Sequence, residues 1–337
     1  MILLIWYGAG ILQRVISMLV RFGFVAMSLH VKNASPSKTM TVKAFRQIPD
    51  RKAALKKLAR IARENLRHTQ RILYHCIGND IRFYRFSSRW IPLAGHELVR
   101  NVNFIKVLRP ELQSLGSIVR ENEMRVGFHP DHFTVLNSPH EKVWKTSVED
   151  LWRHVRLLKA MGLPASHKCN IHIGGVYGNK AASGDRFKEN FARLHPDIQS
   201  HLCLENDDKS FTAKETLDIA ESCQVPMVLD IHHHRCNHDG ETLEELWPRV
   251  VHTWNQEPFP PKIHVSSPRS ESDFRRHADY IDLNDLLPFL CMAKKYTDQV
   301  DVMIEAKKKD ESLFHLMEQF KQCPEVTVLD QASIRVN

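Results

Sequence analysis

The sequence predicts an α/β protein built as a single (β/α)8 barrel of the TIM type, with a metal cluster at the carboxyl rim of its strands. Three observations predict it. Short apolar runs alternate with helix-patterned stretches, the pattern of parallel strands joined by crossover helices. Counting gives eight runs and eight helical stretches, a number that closes a parallel sheet on itself. Run after run then ends in a side chain able to bind a metal. His129 follows Arg125-Val126-Gly127-Phe128, His172 follows Cys169-Asn170-Ile171, and Glu205 follows Leu202-Cys203-Leu204. Asp230 follows Met227-Val228-Leu229, His264 follows Lys262-Ile263, and Glu305 follows Val302-Met303-Ile304. Parallel sheets place their chemistry at strand carboxyl ends, so one such residue per strand means one shared site.

The elements follow in order. A first strand at 19–25 leads through a loop from Asn33 to Lys43 into a helix over 50–76, whose Leu55, Leu58, Ala59, Ala62, Leu66 and Leu73 keep a helical period. Its other face carries Lys56, Lys57, Arg60, Arg63, Arg67 and Arg71; crossover helices lie outside a barrel, away from its catalytic rim, so this face reads as solvated rather than as a DNA patch. A strand at 81–86 and a helix at 97–122 come next, then strand 125–129 and helix 146–161. Strand 169–173, helix 185–198, strand 202–206, helix 213–223, strand 226–231 and helix 241–255 continue the alternation. Strand 262–266, helix 283–295, strand 300–305 and a closing helix at 310–321 complete it. The barrel is expected to span 18–325, with 326–337 as a C-terminal tail.

Residues 1–17 stand apart. The stretch from Met1 to Val20 is apolar, but it lacks a basic n-region and a small-residue cleavage site, carries Arg14, and runs straight into the first strand. Residues 1–17 are therefore expected to be a poorly ordered or non-native extension, with Met18 as an alternative start, and no membrane partner is expected. Seven cysteines, an odd number without a CxxC pair, fit buried thiols in a reducing cytoplasm better than a disulfide scaffold or zinc ribbon. The net charge of +8 suits a polyanionic partner without demanding one.

Residues two apart on a strand share a face, so Lys262 enters the same pocket as His264. An ammonium beside metal ions is disfavoured; Lys262 is expected to be neutral, ion-paired, or carboxylated into an extra ligand. Asp230 is followed by histidines at 232, 233 and 234, and spacing alone does not say which folds back. His277 lies in the loop after the seventh strand. A lone His or Glu at a strand end is ordinarily a capping or hydrogen-bonding residue; the joint occurrence carries the metal reading. Imidazole and carboxylate donors without thiolate suit Mn²⁺, Zn²⁺, Fe²⁺ or Co²⁺, and the number of donors calls for two or three ions. Such ions in a basic protein point to phosphate-ester hydrolysis. Gly174-Gly175 would let a phosphate backbone approach, and Lys180, Lys209, Arg269 and Lys307 occupy loops of the same rim, where cations hold flanking phosphates.

These segments together resemble the UV damage endonuclease family, metal-dependent relatives of endonuclease IV-like TIM barrels. The likeness runs through Arg21-Phe-Gly-Phe24, Tyr84-Arg-Phe-Ser-Ser88, Phe128-His-Pro-Asp-His-Phe133, Asn170-Ile-His-Ile-Gly-Gly175 with Tyr177-Gly-Asn-Lys180, and Leu204-Glu-Asn-Asp-Asp-Lys209. It continues through Asp230-Ile-His-His233, Lys262-Ile-His-Val-Ser-Ser-Pro268, Arg276-His-Ala-Asp-Tyr280 and Met303-Ile-Glu-Ala-Lys307. The resemblance implies metal ligands at His129, His172, Glu205, Asp230, His233, His264, His277 and Glu305, holding Mn²⁺-type ions, with Mg²⁺, Zn²⁺ or Co²⁺ as alternatives. It implies a modified lysine at Lys262, which together with Glu205 and Glu305 makes up the candidate catalytic set, and incision of double-stranded DNA immediately 5′ of cyclobutane dimers and 6-4 products, leaving 3′-hydroxyl and 5′-phosphate ends. A monomer in the cytoplasm, without an obligate protein partner, goes with that activity.

Two departures stand out. The family's probing pair, often Gln-Tyr, corresponds to His132-Phe133, and its lesion-side aromatic near the first strand to Phe24, with no hydroxyl at either aromatic. Phe133 can still wedge between base steps, and His132 keeps hydrogen-bonding capacity. Tyr177 joins these as a candidate lesion-side residue. A metal-dependent sugar isomerase or epimerase of the same barrel class is the nearest rival, and it would need an enclosed pocket instead of an open basic rim. A lesion-binding protein that has lost catalysis is a second rival, at odds with acidic groups facing DNA unless metals neutralise them.

Overall fold

The computed structural model describes residues 17–337. Strands β1 (Met18–Val25), β2 (Phe83–Arg85), β3 (Arg125–Gly127), β4 (Cys169–His172), β5 (Leu202–Glu205), β6 (Met227–Asp230), β7 (Lys262–Val265) and β8 (Gln299–Ile304) run parallel in the order β3-β2-β1-β8-β7-β6-β5-β4. The two ends of that order meet through one parallel bridge between Phe128 and Cys169, with Phe128 N–H donating to Lys168 O at 3.2 Å and Asn170 N–H to Phe128 O at 3.0 Å. The sheet is thereby a closed barrel with helices between its strands, as the sequence predicts. The expectation for residues 1–17 falls almost entirely outside the described residues. Among those described, no helix is long and apolar enough to cross a membrane.

The helices start where their capping chemistry allows. Asp50 accepts from Lys52 N–H at 2.8 Å and Ala53 N–H at 3.2 Å, opening the helix Arg51–Gly78, whose Ala54, Leu58, Ala62, Leu66 and Leu73 are buried while Lys56, Lys57, Arg60, Arg67 and Arg71 face solvent. Thr212 and Thr242 form reciprocal capping boxes with Glu215 and Glu245 at the helices Ala213–Cys223 and Leu243–His252. The single helix expected over 97–122 is instead a 3-10 turn (Glu97–Val99) and two helices (Phe104–Val107 and Arg109–Glu121). Asn103 caps the first, accepting from Lys106 N–H, and Pro110, which lacks an N–H, sits in the opening turn of the second. The helix expected at 185–198 starts earlier, at Lys180, and breaks before Pro196, where a new short helix begins.

One expectation is overturned outright. Residues 326–337 are no tail: β9 (Val326–Val328) and β10 (Ser333–Val336) form an antiparallel hairpin, and β10 pairs antiparallel with Met18–Arg21 of β1. β2 is short and meets β1 only at Gly23–Val25, which leaves the lower edge of β1 open for β10. Covering that edge removes a row of unpaired backbone groups.

Side-chain parity divides the molecule in two. Outward residues of the strands, Val20, Phe22 and Phe24 among them, pack under the helices in one continuous apolar core. The inward residues are largely polar. Arg21 donates to Asp301 through Nε (2.7 Å) and Nη2 (2.9 Å), and Arg125 reaches the same carboxylate at 2.7 Å from across the barrel. The Arg125 guanidinium also lies over Trp254 at 4.8 Å and Phe259 at 5.1 Å and donates to Pro260 O. Where such barrels ordinarily stack branched aliphatics, this one carries a desolvated ion triad beneath its site. Gly23, opposite Phe83, leaves no room for a side chain there: a Cβ would lie 2.1 Å from Phe83 O.

Asp301→Ala takes the carboxylate from the buried Arg125 and the half-buried Arg21 and is expected to lower stability by about 3–5 kcal/mol in urea unfolding. A second expectation concerns acid. Burial pushes the His154 imidazole down to about 3, and its Nδ1 meets Asp150 O at 2.9 Å. The unfolded chain binds a proton at this residue near pH 6.5 and the native one does not, so stability falls as pH drops below 6.5, by roughly 3 kcal/mol at pH 4 from this group. His154→Gln should flatten the fall of the urea midpoint over that range; an unchanged pH profile would show that His154 does not drive it.

Candidate metal centre

The strand ends meet at the carboxyl mouth of the barrel. Glu205 at the end of β5 is buried, with its Oε2 3.3 Å from His129 Nε2 and its Oε1 3.0 Å from His264 Nδ1. That same His264 nitrogen lies 2.9 Å from Glu305 Oε1. Two groups of ligand-type atoms, each within 4.8 Å of one another, result: His129, His172 and Glu205 on one side, and Glu205, Asp230, His264 and Glu305 on the other. Glu205 belongs to both, so it would contribute to holding an ion in either group. His233 and His277 continue the rim. Ring centroids step 5.1 Å from His129 to His172, 5.7 Å from His172 to His233, and 6.3 Å from His233 to His277. The structure thus brings all eight expected ligands to one mouth.

Local folding settles which of the three consecutive histidines turns in. Asp230 caps the short helix Ile231–Cys236 by accepting from His233 N–H at 2.8 Å, and that turn places His233 beside Glu205 and Asp230. His232 stacks on Phe274 instead, and His234 is buried with its ring toward His238.

Four imidazoles share one arrangement. Nδ1 of His129, His172, His233 and His277 meets a backbone carbonyl, those of Pro130 (3.0 Å), Glu205 (3.1 Å), Asn206 (2.9 Å) and Glu305 (2.8 Å) respectively. A carbonyl only accepts, so Nδ1 carries a proton in each, which leaves Nε2 as the atom that would face a metal ion.

Charge is concentrated here. Burial opposes ionisation of Glu205, yet the imidazoles of His264, His129 and His172 hold its carboxyl well below the usual carboxylate range. Glu305 is likewise held low, against its burial, by Arg85, which ion-pairs with it, and by His264. Burial works against protonation of His233 too, but Asp230 and Glu205 bring it up to about 9. Burial pushes Lys262 down to about 8; its Nζ donates to Asn170 Oδ1 at 2.5 Å, with no carboxylate within ion-pair distance among the described residues, so it is not the ion-paired lysine that was one of three expectations.

The residues fit divalent ions. Asp230 Oδ2 is buried without a hydrogen-bond partner, three carboxylates crowd one mouth, and the donors are nitrogen and oxygen only. A nearby thiol, Cys203, is pushed up by burial and donates to Asn170 Oδ1 at 3.0 Å.

The DNA-side residues divide. His132 and Phe133 form an exposed tip after β3, their rings 5.8 Å apart in an edge-on pair. Tyr177, exposed after β4, has Arg186 over its ring at 5.6 Å. Lys209, Arg269 and Lys307 are exposed on loops after β5, β7 and β8, although Arg269 reaches Asp273 at 3.4 Å. Lys180 is less free, paired with Glu215 at 2.8 Å. Phe24 is a correction: it has no exposed surface and packs edge-on against Tyr84 at 5.3 Å, because it shares parity with Phe22 and points under the helices. Exposed apolar surface after β1 comes from Met27 and Leu29. Gly174, at φ +112°, is needed by its own loop, since a Cβ would meet Asn137 Oδ1 at 2.3 Å.

Sequence reasoning missed Asn170, Arg85 and Lys309. Arg85 ends β2 as a cation where six of the other strands lead into ligands, a signal that was legible. Lys309 has a left-handed φ of 51° and is half-buried among charges that include Glu305 and Arg85. Asn170, a neutral amide in an apolar run, gave no signal.

Comparison with known proteins follows this geometry. The sequence profile described as UV-endonuclease UvdE matches residues 20–337. The chain belongs to that family. A UV DNA damage endonuclease from Halalkalibacterium halodurans is 42% identical over 321 residues, covering 95% of this chain and 100% of the relative. Another from Bacillus cereus (strain B4264) is 42% identical over 302 residues, covering 90% and 95%. The crystal structure of SacUVDE superposes with a TM-score of 0.79 at 30% identity, covering 90% of this chain and 98% of that one. Endonuclease IV from Thermus thermophilus, at 12% identity and a TM-score of 0.51 over 90% and 98%, shares the fold. This family member is an endonuclease with a TIM barrel.

Glu205→Gln removes charge without volume from the residue common to both ligand groups. Mn²⁺ affinity by titration calorimetry should fall by more than the roughly 10–100-fold that losing an outer partner costs, while the far-UV circular dichroism stays that of the folded barrel. An equal loss of folded protein would make the residue structural.

Proposed function

We propose that this endonuclease cuts double-stranded DNA immediately 5′ of UV photoproducts, cyclobutane dimers and 6-4 products alike, leaving 3′-hydroxyl and 5′-phosphate ends. It does so as a cytoplasmic monomer with two or three divalent ions, Mn²⁺ foremost. The single observation that carries the reading is the sharing of Glu205 between two ligand groups at the barrel mouth. His129 and His172 would complete one group, Asp230, His264 and Glu305 the other, and His233 and His277 the adjoining rim. Divalent ions held there supply the Lewis acidity that activates water and offsets charge on the phosphate and its leaving 3′-oxygen.

The chain's own residues then have separable tasks. Arg85 fixes the Glu305 carboxylate, and Lys262, drawn to Asn170, stands beneath the ligands without pairing with a carboxylate. Lys209, Arg269 and Lys307 hold phosphates flanking the cut. Phe133 wedges between base steps at the lesion, with His132 and Tyr177 beside it and Met27 and Leu29 offering apolar surface from the β1 side. Those exposed apolar groups on one rim favour an extended duplex over a small sugar, and retention of every ligand favours catalysis over binding alone.

Purified protein with Mn²⁺ should nick UV-irradiated duplex and spare unirradiated duplex, and chelation should stop it. Products with a 3′-phosphate, or cuts mapping 3′ of the lesion, would refute the proposed reaction. Phe133→Ala should weaken binding to a dimer-containing oligonucleotide by about 1–3 kcal/mol, the worth of a lost stack, with Mn²⁺ affinity unchanged; a variant that binds the lesion as wild type would remove Phe133 from recognition.

A further inference from the structure

Lys309 is a cation without a carboxylate. It lies half-buried where the chain leaves β8, among charges that include Glu305 and Arg85, yet among the described residues no carboxylate comes within ion-pair distance of its ammonium and no hydrogen bond holds it. The acids of the same segment are already engaged. Glu305 is taken by Arg85 and His264, Asp310 by Ser28, His75 and the Leu29 N–H (2.9 Å), and Glu311 by the Tyr280 hydroxyl (2.6 Å) and Lys308 (3.7 Å). A charge drawn partly out of water without a partner is unfavourable until one arrives. The backbone also holds Lys309 against its preference. At φ +51° it occupies a conformation that a residue with a side chain keeps only where its surroundings over-determine it. Both flanks are pinned. Lys307 N–H donates to Ala278 O at 3.0 Å and Lys308 N–H to Asp279 O at 3.1 Å, next to the candidate ligand His277, while the buried Asp310 carboxylate grips the loop after β1 through Ser28 and Leu29.

We propose that Lys309 is a catalytic residue: its ammonium donates to a non-bridging oxygen of the phosphate that is cut, and so stabilises the charge that gathers there in the transition state. The proposal rests on the incision reading above. Depth separates Lys309 from the other cations of the rim. Lys209, Arg269 and Lys307 are exposed and suit phosphates that flank the cut, whereas Lys309 stands back beside Glu305, a member of the ligand group. A role as counter-ion to Glu305 is already filled, because Arg85 pairs with that carboxylate directly. What remains for an aimed and unpaired ammonium at this depth is an anion that comes with the substrate. Lys309 makes and breaks no covalent bond in this role; it supplies charge and direction to an oxygen that stays on phosphorus throughout.

The test uses the full chain, Mn²⁺ and a duplex carrying one cyclobutane dimer. Lys309→Met should cut saturating duplex about 100–1,000-fold more slowly in a single turnover, the effect of losing one aimed donor, while the duplex concentration at half-saturation moves far less. Its Mn²⁺ affinity by titration should be no weaker than wild type, because a cation has been taken from beside a ligand carboxylate. Lys309→Gly should be as slow as the Met variant with a urea midpoint no lower than wild type, since glycine adopts positive φ freely. A wild-type cutting rate in either variant overturns the proposal. So does a Mn²⁺ affinity that falls in step with the rate, which would make Lys309 a support of the metal centre, and so does a loss confined to duplex binding, which would make it one more flanking contact. Wild-type protein that leaves the dimer duplex uncut would instead sink the incision reading, a failure visible before any variant is made.

Discussion

Repulsion between carboxylates is the constraint to which the rest of this molecule answers. Glu205, Asp230 and Glu305 are brought to one buried mouth, and like charges at that spacing do not coexist without compensation. The surroundings supply it in layers. Imidazoles of His129, His233 and His264 face the acids, Arg85 pairs with Glu305, and Lys262 sits one step below. Such a site gains most by binding cations, and the barrel is the scaffold that holds the acids close until they do.

The polar interior follows from the same need. A barrel whose lower layer is Arg21, Asp301 and Arg125 gives up some of the stability an aliphatic filling would supply, since ions are costly to desolvate. In return the interior is tied together: Arg21 from β1 and Arg125 from β3 hold Asp301 of β8, and Lys262 and Asn170 stand on that floor. The apolar core lies between the strands and the helices, and it carries most of the fold's cohesion without touching the site.

What the sequence disclosed and what it withheld divide along physical lines. Strand ends were legible because a ligand must stand at a carboxyl end, and six of them in succession leave little freedom. Parity correctly put Lys262 beside His264. The same parity would have turned Phe24 away from DNA, since Arg21 faces inward and Phe24 is three positions on; the family likeness outweighed it. Arg125 and Asp301, charged residues within short strands, gave no local sign that they form a buried floor. The β9–β10 hairpin was missed because eight strands already complete a barrel, and nothing local announces that β1 has an uncovered half. Asn170 escaped because an amide's meaning lies wholly in which way it faces.

The junction between β3 and β4 has a mechanical consequence. Every other pair around the cylinder shares a ladder, but here one bridge, Phe128 to Cys169, does the joining. The loops bearing Phe133 and Tyr177 rise from either side of that seam. The wall is therefore joined by the least backbone pairing just below the two loops that carry these exposed aromatic rings, so a shift of one loop against the other has little sheet to deform.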